Sequence, residues 1–160
     1  MEREKIMKIV LGCDHAGFLI KQVVEEAVRK AGHQILDVGT DAPTPVDYPD
    51  IVERVGKAII EKRAQRGILI CGSGVGACIA ANKIPGVYAG VCHDAYSAHQ
   101  GVEHDDMNVL CLGSRIIGSE LARELVQVYL GARFSKVERH LRRVKKVRAI
   151  ESGTMGKVGR

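Results

Sequence analysis

The amino-acid sequence predicts one α/β domain, in which a doubly wound, mostly parallel five-stranded sheet carries helices on both faces. Five short apolar runs alternate with segments of helical periodicity along the 160 residues. The hydrophobic content is 46% with only 4% aromatic residues and 18 glycines, a composition typical of aliphatic strands and helices joined by tight turns. No long linker and no internal repeat divides the chain, so we expect a single core.

The five predicted strands are rich in branched residues and end in glycine or polar residues. They cover residues 8–12, 34–39, 68–70, 87–92 and 109–113. Apolar spacings of three and four predict helices over 18–31, from the capping residue Asp50 onward, over 77–83, over 93–103 and around 119–130. The result is a Rossmann-like domain over 8–150, with the terminal extensions 1–7 and 151–160 expected to be flexible.

A basic helix is predicted from Arg133 onward. Its expected packing stripe comprises Phe134, Val137, Leu141, Val144, Val147 and Ile150. Residues 133–160 contain ten lysines or arginines and two glutamates, so their net charge is +8. The net charge of the whole chain is +5, so the remaining residues have a net charge of −3. Such a segment could bind nucleic acid or a phosphorylated small molecule, or act only in solubility. Nucleic acid is the less favoured partner because no aromatic residues are interleaved with the charges.

Cysteine usage and hydropathy indicate a cytoplasmic protein without a membrane partner. The five cysteines are odd in number and form no C-x-x-C pair, which favours neither a disulfide framework nor a zinc site. No apolar run approaches the roughly 20 residues that cross a bilayer, and residues 1–7 lack the apolar core of a signal peptide. We therefore expect a reducing compartment and no metal.

The segment around Cys71 is the centre of the predicted site. An apolar strand ends at this cysteine, and a glycine-rich turn leads from it into a helix. Backbone N–H groups and a helix start then meet at one point, which can hold an anion or activate a thiol. A tight turn with a buried structural cysteine remains the alternative. The turn consists of Gly72, Ser73, Gly74, Val75 and Gly76.

Other polar residues stand near predicted strand ends and on the basic helix. Asp14 and His15 follow the first strand, where ligands bind in open α/β sheets, although a helix cap and a turn residue are the alternatives. His104 lies in the predicted loop before the fifth strand. Arg139 and Arg143 are four residues apart and could grip a phosphate together. With a cysteine as base, this set suits proton abstraction beside the carbonyl of a phosphorylated sugar.

Three other kinds of site fit less well. A dinucleotide fingerprint would place G-x-G-x-x-G after the first strand, whereas the glycines here follow the third strand as G-x-G-x-G. A cysteine phosphatase would need an arginine six residues after the cysteine, where this chain has Ala77. A Walker-type loop would need a Gly-Lys-Ser or Gly-Lys-Thr sequence, which is absent.

An ordered set of motifs from about Lys8 to Ile150 closely resembles the ribose-5-phosphate isomerase B family, which belongs with the galactose-6-phosphate isomerase subunits. The motifs begin with residues 12–18 (GCDHAGF), 37–40 (DVGT), 47–49 (DYP) and 71–76 (CGSGVG). They continue with residues 80–83 (AANK), 96–98 (YSA), 108–110 (NVL), 113–115 (GSR) and 139–140 (RH).

The resemblance implies an aldose–ketose isomerase that interconverts ribose 5-phosphate and ribulose 5-phosphate without metal or cofactor. In the family's pattern, Cys71 is the base that moves the proton between C1 and C2, and His104 is the acid that opens the furanose ring. Asp14 contacts ring or hydroxyl oxygens, and the loop 72–76 is the anion hole for the enediolate. His15, Arg139 and Arg143 are phosphate ligands, and Arg115 reaches a neighbouring subunit's site. The resemblance also implies a homodimer with shared active sites, which could pair into a tetramer.

Two residues depart from the family's pattern. Ser73 stands where threonine is frequent and keeps its hydroxyl. Asp105, also expected at the substrate, stands where asparagine is usual, and a carboxylate near an enediolate would be repulsive unless it is turned away, protonated or bonded to a different substrate hydroxyl. Allose or galactose 6-phosphate and tetrose phosphates are therefore alternative substrates. A non-catalytic protein that binds sugar phosphate or nucleic acid is the alternative from another class.

Overall fold

The structure is a computed structural model that describes residues 5–154. Its strands are β1 (Lys8–Cys13), β2 (Gln34–Asp37), β3 (Arg66–Cys71), β4 (Ala89–Val91) and β5 (Val109–Gly113). Its helices are α1 (Phe18–Lys30), α2 (Tyr48–Ile60), α3 (Val75–Ala81), α4 (Ala95–Asp105), α5 (Ser119–Gly131) and α6 (Glu138–Glu151). One sheet has the order β2-β1-β3-β5-β4 with every pair parallel, which confirms the predicted doubly wound α/β fold.

Alternating side chains of the central strands build a core on each face of the sheet. Ile68 and Ile70 of β3 pack with buried residues of α1, α4 and α5, whereas Leu69 and Cys71 pack with those of α2 and α3. This alternation is the two-residue period of a strand that is covered on both sides. The predicted helices on both faces are confirmed.

The strand order creates a crevice between β1 and β3. The helix that follows β1 covers one face of the sheet and the helix that follows β3 covers the other, so the chain diverges at their carboxyl ends. Cys13 of β1 is paired with Ile70 of β3, and Cys71 is paired with Gly113 of β5. Ligands bind at such switch points in doubly wound sheets.

Helix α4 begins and ends two residues later than predicted and contains His104 and Asp105 in its last turn. The prediction of a loop at these residues is wrong. Their polarity suggested a loop, but α4 continues until Asp106, which has a left-handed backbone with φ of 56° and ends the helix. Asp94 caps the other end of α4 by accepting a hydrogen bond from the Ser97 N–H at 2.7 Å.

The basic helix begins at Glu138 rather than Arg133, because Lys136 has a φ of 54° and breaks the helical path. Its predicted packing stripe is also wrong within this chain. Val144 is buried, but the other large apolar residues of α6 are about half exposed, and the buried face consists of His140, Val144 and Ala149.

Smaller differences concern helix starts and chain ends. α2 begins at Tyr48 with Asp47 as the N-cap residue, not at Asp50, because Pro49 fits the first helical turn. Residues 1–4 and 155–160 of the predicted terminal extensions lie outside the described residues. Glu151 ends α6, and its carboxylate accepts hydrogen bonds from the Gly86 N–H and the Tyr88 hydroxyl, both at 3.0 Å. No helix within 5–154 is both long and apolar enough to cross a membrane.

Candidate active site

A cavity of about 320 Å³ opens at the carboxyl ends of β1 and β3. The strand order places it at the switch point, where Asp14 follows β1 and Cys71 ends β3. Residues from four separate segments meet there, and several of them were predicted as site residues. The lining consists of Asp14, Tyr48, Cys71, Gly72, Ser73, Gly76, Arg115 and Ile116.

Cys71 is only 6% exposed, and its sulfur is held by the glycine turn. The Gly74 N–H donates a hydrogen bond to Cys71 Sγ at 3.1 Å. The turn that brings this N–H back to the sulfur gives Gly74 a φ of 80°, and a Cβ there would lie 3.1 Å from the Leu112 carbonyl carbon. Glycine is therefore required both by the backbone angle and by the close approach of β5.

The remaining N–H groups of the turn are not equally available. The Val75 N–H donates to Ser73 Oγ at 3.2 Å, so this group and that of Gly74 are already used inside the turn. Those of Gly72, Ser73 and Gly76 form no hydrogen bond to the described part of the chain. Of the five backbone N–H groups in the predicted anion hole, three are therefore available to bind an anion.

Asp14 makes a hydrogen bond at the start of α1 and also lines the cavity. Its Oδ1 accepts a hydrogen bond from the Gly17 N–H at 2.8 Å, which is the helix-start turn of the structural alternative. Its backbone N–H donates to the Ile70 carbonyl at 3.1 Å, so the end of β1 is tied to β3. The side chain is 7% exposed and lines the cavity beside Cys71.

His15 lies next to this cavity and holds the loop that precedes α2. Its Nδ1 accepts a hydrogen bond from the Val46 N–H at 3.2 Å. Because Nδ1 is the acceptor, the neutral ring carries its proton on Nε2, which is the atom left for a ligand. The predicted rim loop is therefore attached to the site through His15.

Two lining residues, Tyr48 and Ile116, were not predicted as site residues. The Tyr48 ring packs against Gly76, where a Cβ would come within 2.8 Å of Tyr48 Cζ. The sequence contains a signal for this residue, because Tyr48 belongs to the Asp-Tyr-Pro motif and borders the predicted rim loop. Ile116 is 60% exposed and gave no signal beyond following the motif that contains Arg115.

Arg115 lies in the cavity of its own chain. Its backbone N–H donates to the Gly72 carbonyl at 3.0 Å, and a Cβ on Gly72 would be 3.5 Å from Arg115 Nη1. The guanidinium is therefore beside the glycine turn that follows Cys71. That Arg115 also reaches a neighbouring subunit's site stays a prediction.

Four other predicted site residues form a second cluster together with His140. They are His104, Asp105, Arg139 and Arg143. The His104 and His140 rings are stacked with centroids 4.0 Å apart. The side chain of His140 is buried, and its Nδ1 lies 2.6 Å from Ser135 Oγ. Burial lowers the pKa of His140, and the charges of His104, Arg139 and Arg143 lower it further. Arg139 and Arg143 are exposed on α6.

The two clusters lie at opposite edges of the sheet within one chain. Cys71 is at the end of β3, whereas His104 closes the helix that leads into the start of β5, where Val109 is paired with Gly67. Four residue steps along a strand separate these levels, about 13 Å. A single chain therefore does not bring His104 and the two arginines to Cys71.

The other four cysteines are core or near-core thiols, as predicted. All five cysteines are free. Burial raises the pKa of Cys13 and of Cys92 to about 11. A hydrogen bond with the Cys111 thiol lowers the pKa of Cys78 to about 7. Among residues 5–154, no group of three or more His, Cys, Asp or Glu side chains is arranged to hold a metal ion.

Known proteins are similar to this chain in sequence and in fold. The family model Ribose/Galactose Isomerase matches residues 9–147. Ribose-5-phosphate isomerase B of Escherichia coli is 43% identical over 144 residues, covering 90% of this chain and 96% of that protein. D-erythrulose-4-phosphate isomerase of Pectobacterium atrosepticum is 39% identical over 132 residues, covering 81% and 86%.

The solved structures agree with the sequence comparisons. Ribose-5-phosphate isomerase B of Clostridium thermocellum superposes with a TM-score of 0.88 at 42% identity, covering 92% of this chain and 99% of that one. The family model spans β2 to β5, all of β1 except Lys8, and the glycine turn after β3. The chain therefore belongs to the ribose/galactose isomerase family and is an aldose–ketose isomerase.

Proposed function

We propose that this enzyme interconverts ribose 5-phosphate and ribulose 5-phosphate. The observation that carries the proposal is the buried Cys71 sulfur at the switch point, beside Asp14 and three backbone N–H groups without a partner in the described chain. A base and an anion hole in one cavity are what proton transfer next to a carbonyl requires. The E. coli relative named above carries the same activity in its name.

The proposed reaction begins on the open-chain aldose. The Cys71 thiolate removes the proton from C2, the C–H electron pair forms the C1=C2 bond, and the carbonyl oxygen becomes an oxyanion. The N–H groups of Gly72, Ser73 and Gly76 stabilise that charge. The hydroxyl proton on O2 passes to O1, the thiol returns its proton to C1, and C2 becomes the ketone. Asp14 holds the substrate hydroxyls during the transfer.

The phosphate and the ring-opening acid require the second cluster. The cavity around Cys71 contains one arginine, Arg115, with His15 adjacent, whereas Arg139 and Arg143 project from α6. A phosphate dianion is held best by paired arginines. His104, which lies in the same cluster as these arginines, would donate a proton to the ring oxygen and open the furanose.

We infer that a second copy of the chain supplies this cluster, giving a homodimer with shared active sites that can pair further into a tetramer. Both clusters are bordered by exposed apolar side chains, which favours contact with another surface. Ile116 and Val75 border the cavity with exposures of 60% and 51%, and Leu141 and Val147 on α6 have 47% and 51%. In a two-fold dimer, each cavity could then receive the partner's α6.

The sugar itself is the less constrained part of the proposal. Asp105 departs from the usual asparagine, and one relative is named for erythrulose 4-phosphate. A tetrose 4-phosphate has its O4 blocked and cannot close a furanose ring, so it would need no ring-opening acid. Six-carbon aldose 6-phosphates such as allose or galactose 6-phosphate are the other candidates.

The free thiols fit a reducing compartment, and we place the enzyme in the cytoplasm.

The proposal is tested by a panel of aldose phosphates assayed with the wild type, Cys71→Ala and the control Cys78→Ala. We expect ribulose 5-phosphate from ribose 5-phosphate, with deuterium from D₂O appearing on carbon. Loss of the base should lower kcat by about 10²- to 10⁴-fold. The control changes a thiol that does not line the cavity and should keep its activity. Turnover by Cys71→Ala at the wild-type rate would refute the base assignment.

The same panel with Asp105→Asn addresses the substrate. If Asp105 selects among sugars, the ratio of kcat/KM values for ribose 5-phosphate and erythrose 4-phosphate should change in this variant. An unchanged ratio would remove Asp105 from substrate selection. A wild type that turns over only a tetrose or hexose phosphate would replace the pentose as substrate and leave the reaction type intact.

A further inference from the structure

Gln100 lies between His104 and Asp105 and has no role in the mechanism described so far. It precedes His104 by four residues, so the two side chains share one face of α4. Gln100 Nε2 is 3.0 Å from His104 Nδ1 and 3.5 Å from Asp105 Oδ2. One amide nitrogen therefore faces both a histidine ring nitrogen and a carboxylate.

The chemistry of these groups fixes which of them donates. An ionised carboxylate only accepts hydrogen bonds, so Asp105 requires the NH₂ end of the Gln100 amide, and not its oxygen, on this side. The same NH₂ group has a second hydrogen for His104 Nδ1. A ring nitrogen that accepts cannot carry a proton, so the neutral His104 ring carries its proton on Nε2.

The surroundings hold the His104 ring in place for this contact. One face of the ring is stacked on His140 with an interplanar angle of 28°, and Ser135 Oγ holds the His140 ring at 2.6 Å. The Ser135 N–H donates to the Glu103 carbonyl at 2.9 Å, which attaches this segment to α4. His104 Nε2 lies on the side away from the amide, 3.9 Å from Glu103 Oε2, and the side chain is 31% exposed.

We propose that Gln100, oriented by Asp105, is a positioning residue that fixes the Nε2–H tautomer of His104. This inference rests on the proposed function, because it concerns the atom through which His104 would donate to the sugar ring oxygen. It also gives Asp105 a task other than facing the enediolate. An asparagine at 105 could not impose the same orientation, because its own amide both donates and accepts.

The direct test is the ¹⁵N NMR spectrum of histidine-labelled protein at a pH where the imidazoles are neutral, with His104→Gln used to assign the signals. We expect an unprotonated Nδ1 and a protonated Nε2 for His104 in the wild type. Gln100→Glu replaces the donor by an acceptor and should move the proton to Nδ1. Asp105→Asn frees the amide to turn and should give both tautomers. The matched control Gln127→Glu adds the same charge at an exposed position of α5 and should leave the signals unchanged.

Kinetics on ribose 5-phosphate give the second readout. Gln100→Glu should lower kcat at least about 10-fold with KM within about twofold, because a catalytic histidine in the wrong tautomer loses up to about 10⁴-fold in other enzymes. A protonated His104 Nδ1 in the wild type, or unchanged nitrogen signals in Gln100→Glu, would overturn the proposal. The expected tautomers in a wild type that does not turn over ribose 5-phosphate would support the positioning role and refute the proposed function instead.

Discussion

Gly17→Ala is a sensitive probe of how the fold holds the active site. Gly17 lies at the start of α1 with φ of −68° and ψ of −20°, angles that any residue adopts. Alanine is therefore not excluded by the backbone. The obstacle is space, since a Cβ at this position would overlap the Ile70 carbonyl oxygen and lie 2.6 Å from its carbon.

The size of the effect follows from these contacts. Non-bonded heavy atoms prefer about 3.5 Å, so the start of α1 must move away from β3 by about 1 Å. Overpacking of this kind costs about 1–3 kcal/mol in free energy of unfolding. The movement also reaches the site, because Ile70 precedes Cys71 and the Gly17 N–H holds the Asp14 carboxylate at 2.8 Å. A displacement of about 1 Å at reacting groups lowers kcat/KM by about 10²-fold.

Urea unfolding and ribose 5-phosphate kinetics measure both effects on one variant. A loss of about 2 kcal/mol should lower the urea midpoint by about 1 M at an unchanged m-value of about 2 kcal/mol/M. The matched control is Gly131→Ala at the end of α5, where a Cβ meets nothing within 4 Å. The control should stay within about 0.5 kcal/mol of the wild type. If Gly17→Ala matches the control in midpoint and in kcat/KM, the steric argument is wrong.

Two further predictions concern stability. Tyr129 is fully buried and donates to the Gly67 carbonyl at 3.2 Å, so Tyr129→Phe should cost about 1 kcal/mol in urea unfolding without changing KM; an unchanged midpoint would show that this bond contributes nothing. His93 accepts from the Gly113 N–H at 2.9 Å, and burial lowers its pKa. As the pH falls, the unfolded chain therefore binds this proton before the folded chain does. The free energy of unfolding should decrease as the pH drops from 6.5, the ordinary pKa of histidine, toward the lower pKa of His93 in the folded chain. Urea midpoints between about pH 8 and about pH 5 should fall less steeply for His93→Gln, and parallel curves would contradict this.

The central strands could be predicted from the sequence because their signals are local. β5 has the predicted bounds, and β1 and β3 differ by at most two residues at either end. A short branched run bounded by glycine or polar residues is fully buried on both faces in a parallel sheet, so few other structures suit it. The residues at the ends of these strands, Asp14 and Cys71, were also correctly placed at one cavity.

The helix ends next to the second cluster could not be predicted in the same way. His104 and Asp105 are polar, and polarity alone does not distinguish a solvated last helical turn from a loop. The late start of α6 depends on a left-handed Lys136, a residue type with no preference for that conformation. The exposed side of α6 has an apolar periodicity, and the pattern predicted packing that residues 5–154 do not provide.

The separation of the two clusters was deducible from topology. In a parallel sheet, residues that follow a strand and residues that precede one lie at opposite edges. Cys71 lies at the carboxyl end of β3 and His104 precedes β5, so they do not meet in one chain. Residue spacing and chemistry identified the groups, but only the strand directions show which groups share an edge. Tyr48 was overlooked because its role depends on packing against Gly76, a contact between distant segments.

The central claim, that each active site combines Cys71 of one chain with His104 of another, is tested most directly by complementation. Cys71→Ala and His104→Gln are each expected to be nearly inactive, and they are co-expressed with two different tags. Random pairing makes half of the dimers mixed, and one of the two sites in each mixed dimer is intact, so about one quarter of wild-type activity should return. The control pair, Cys71→Ala with Asp14→Asn, alters the same cluster and should recover nothing. No recovery in the first pair, or equal recovery in both, would contradict the shared site.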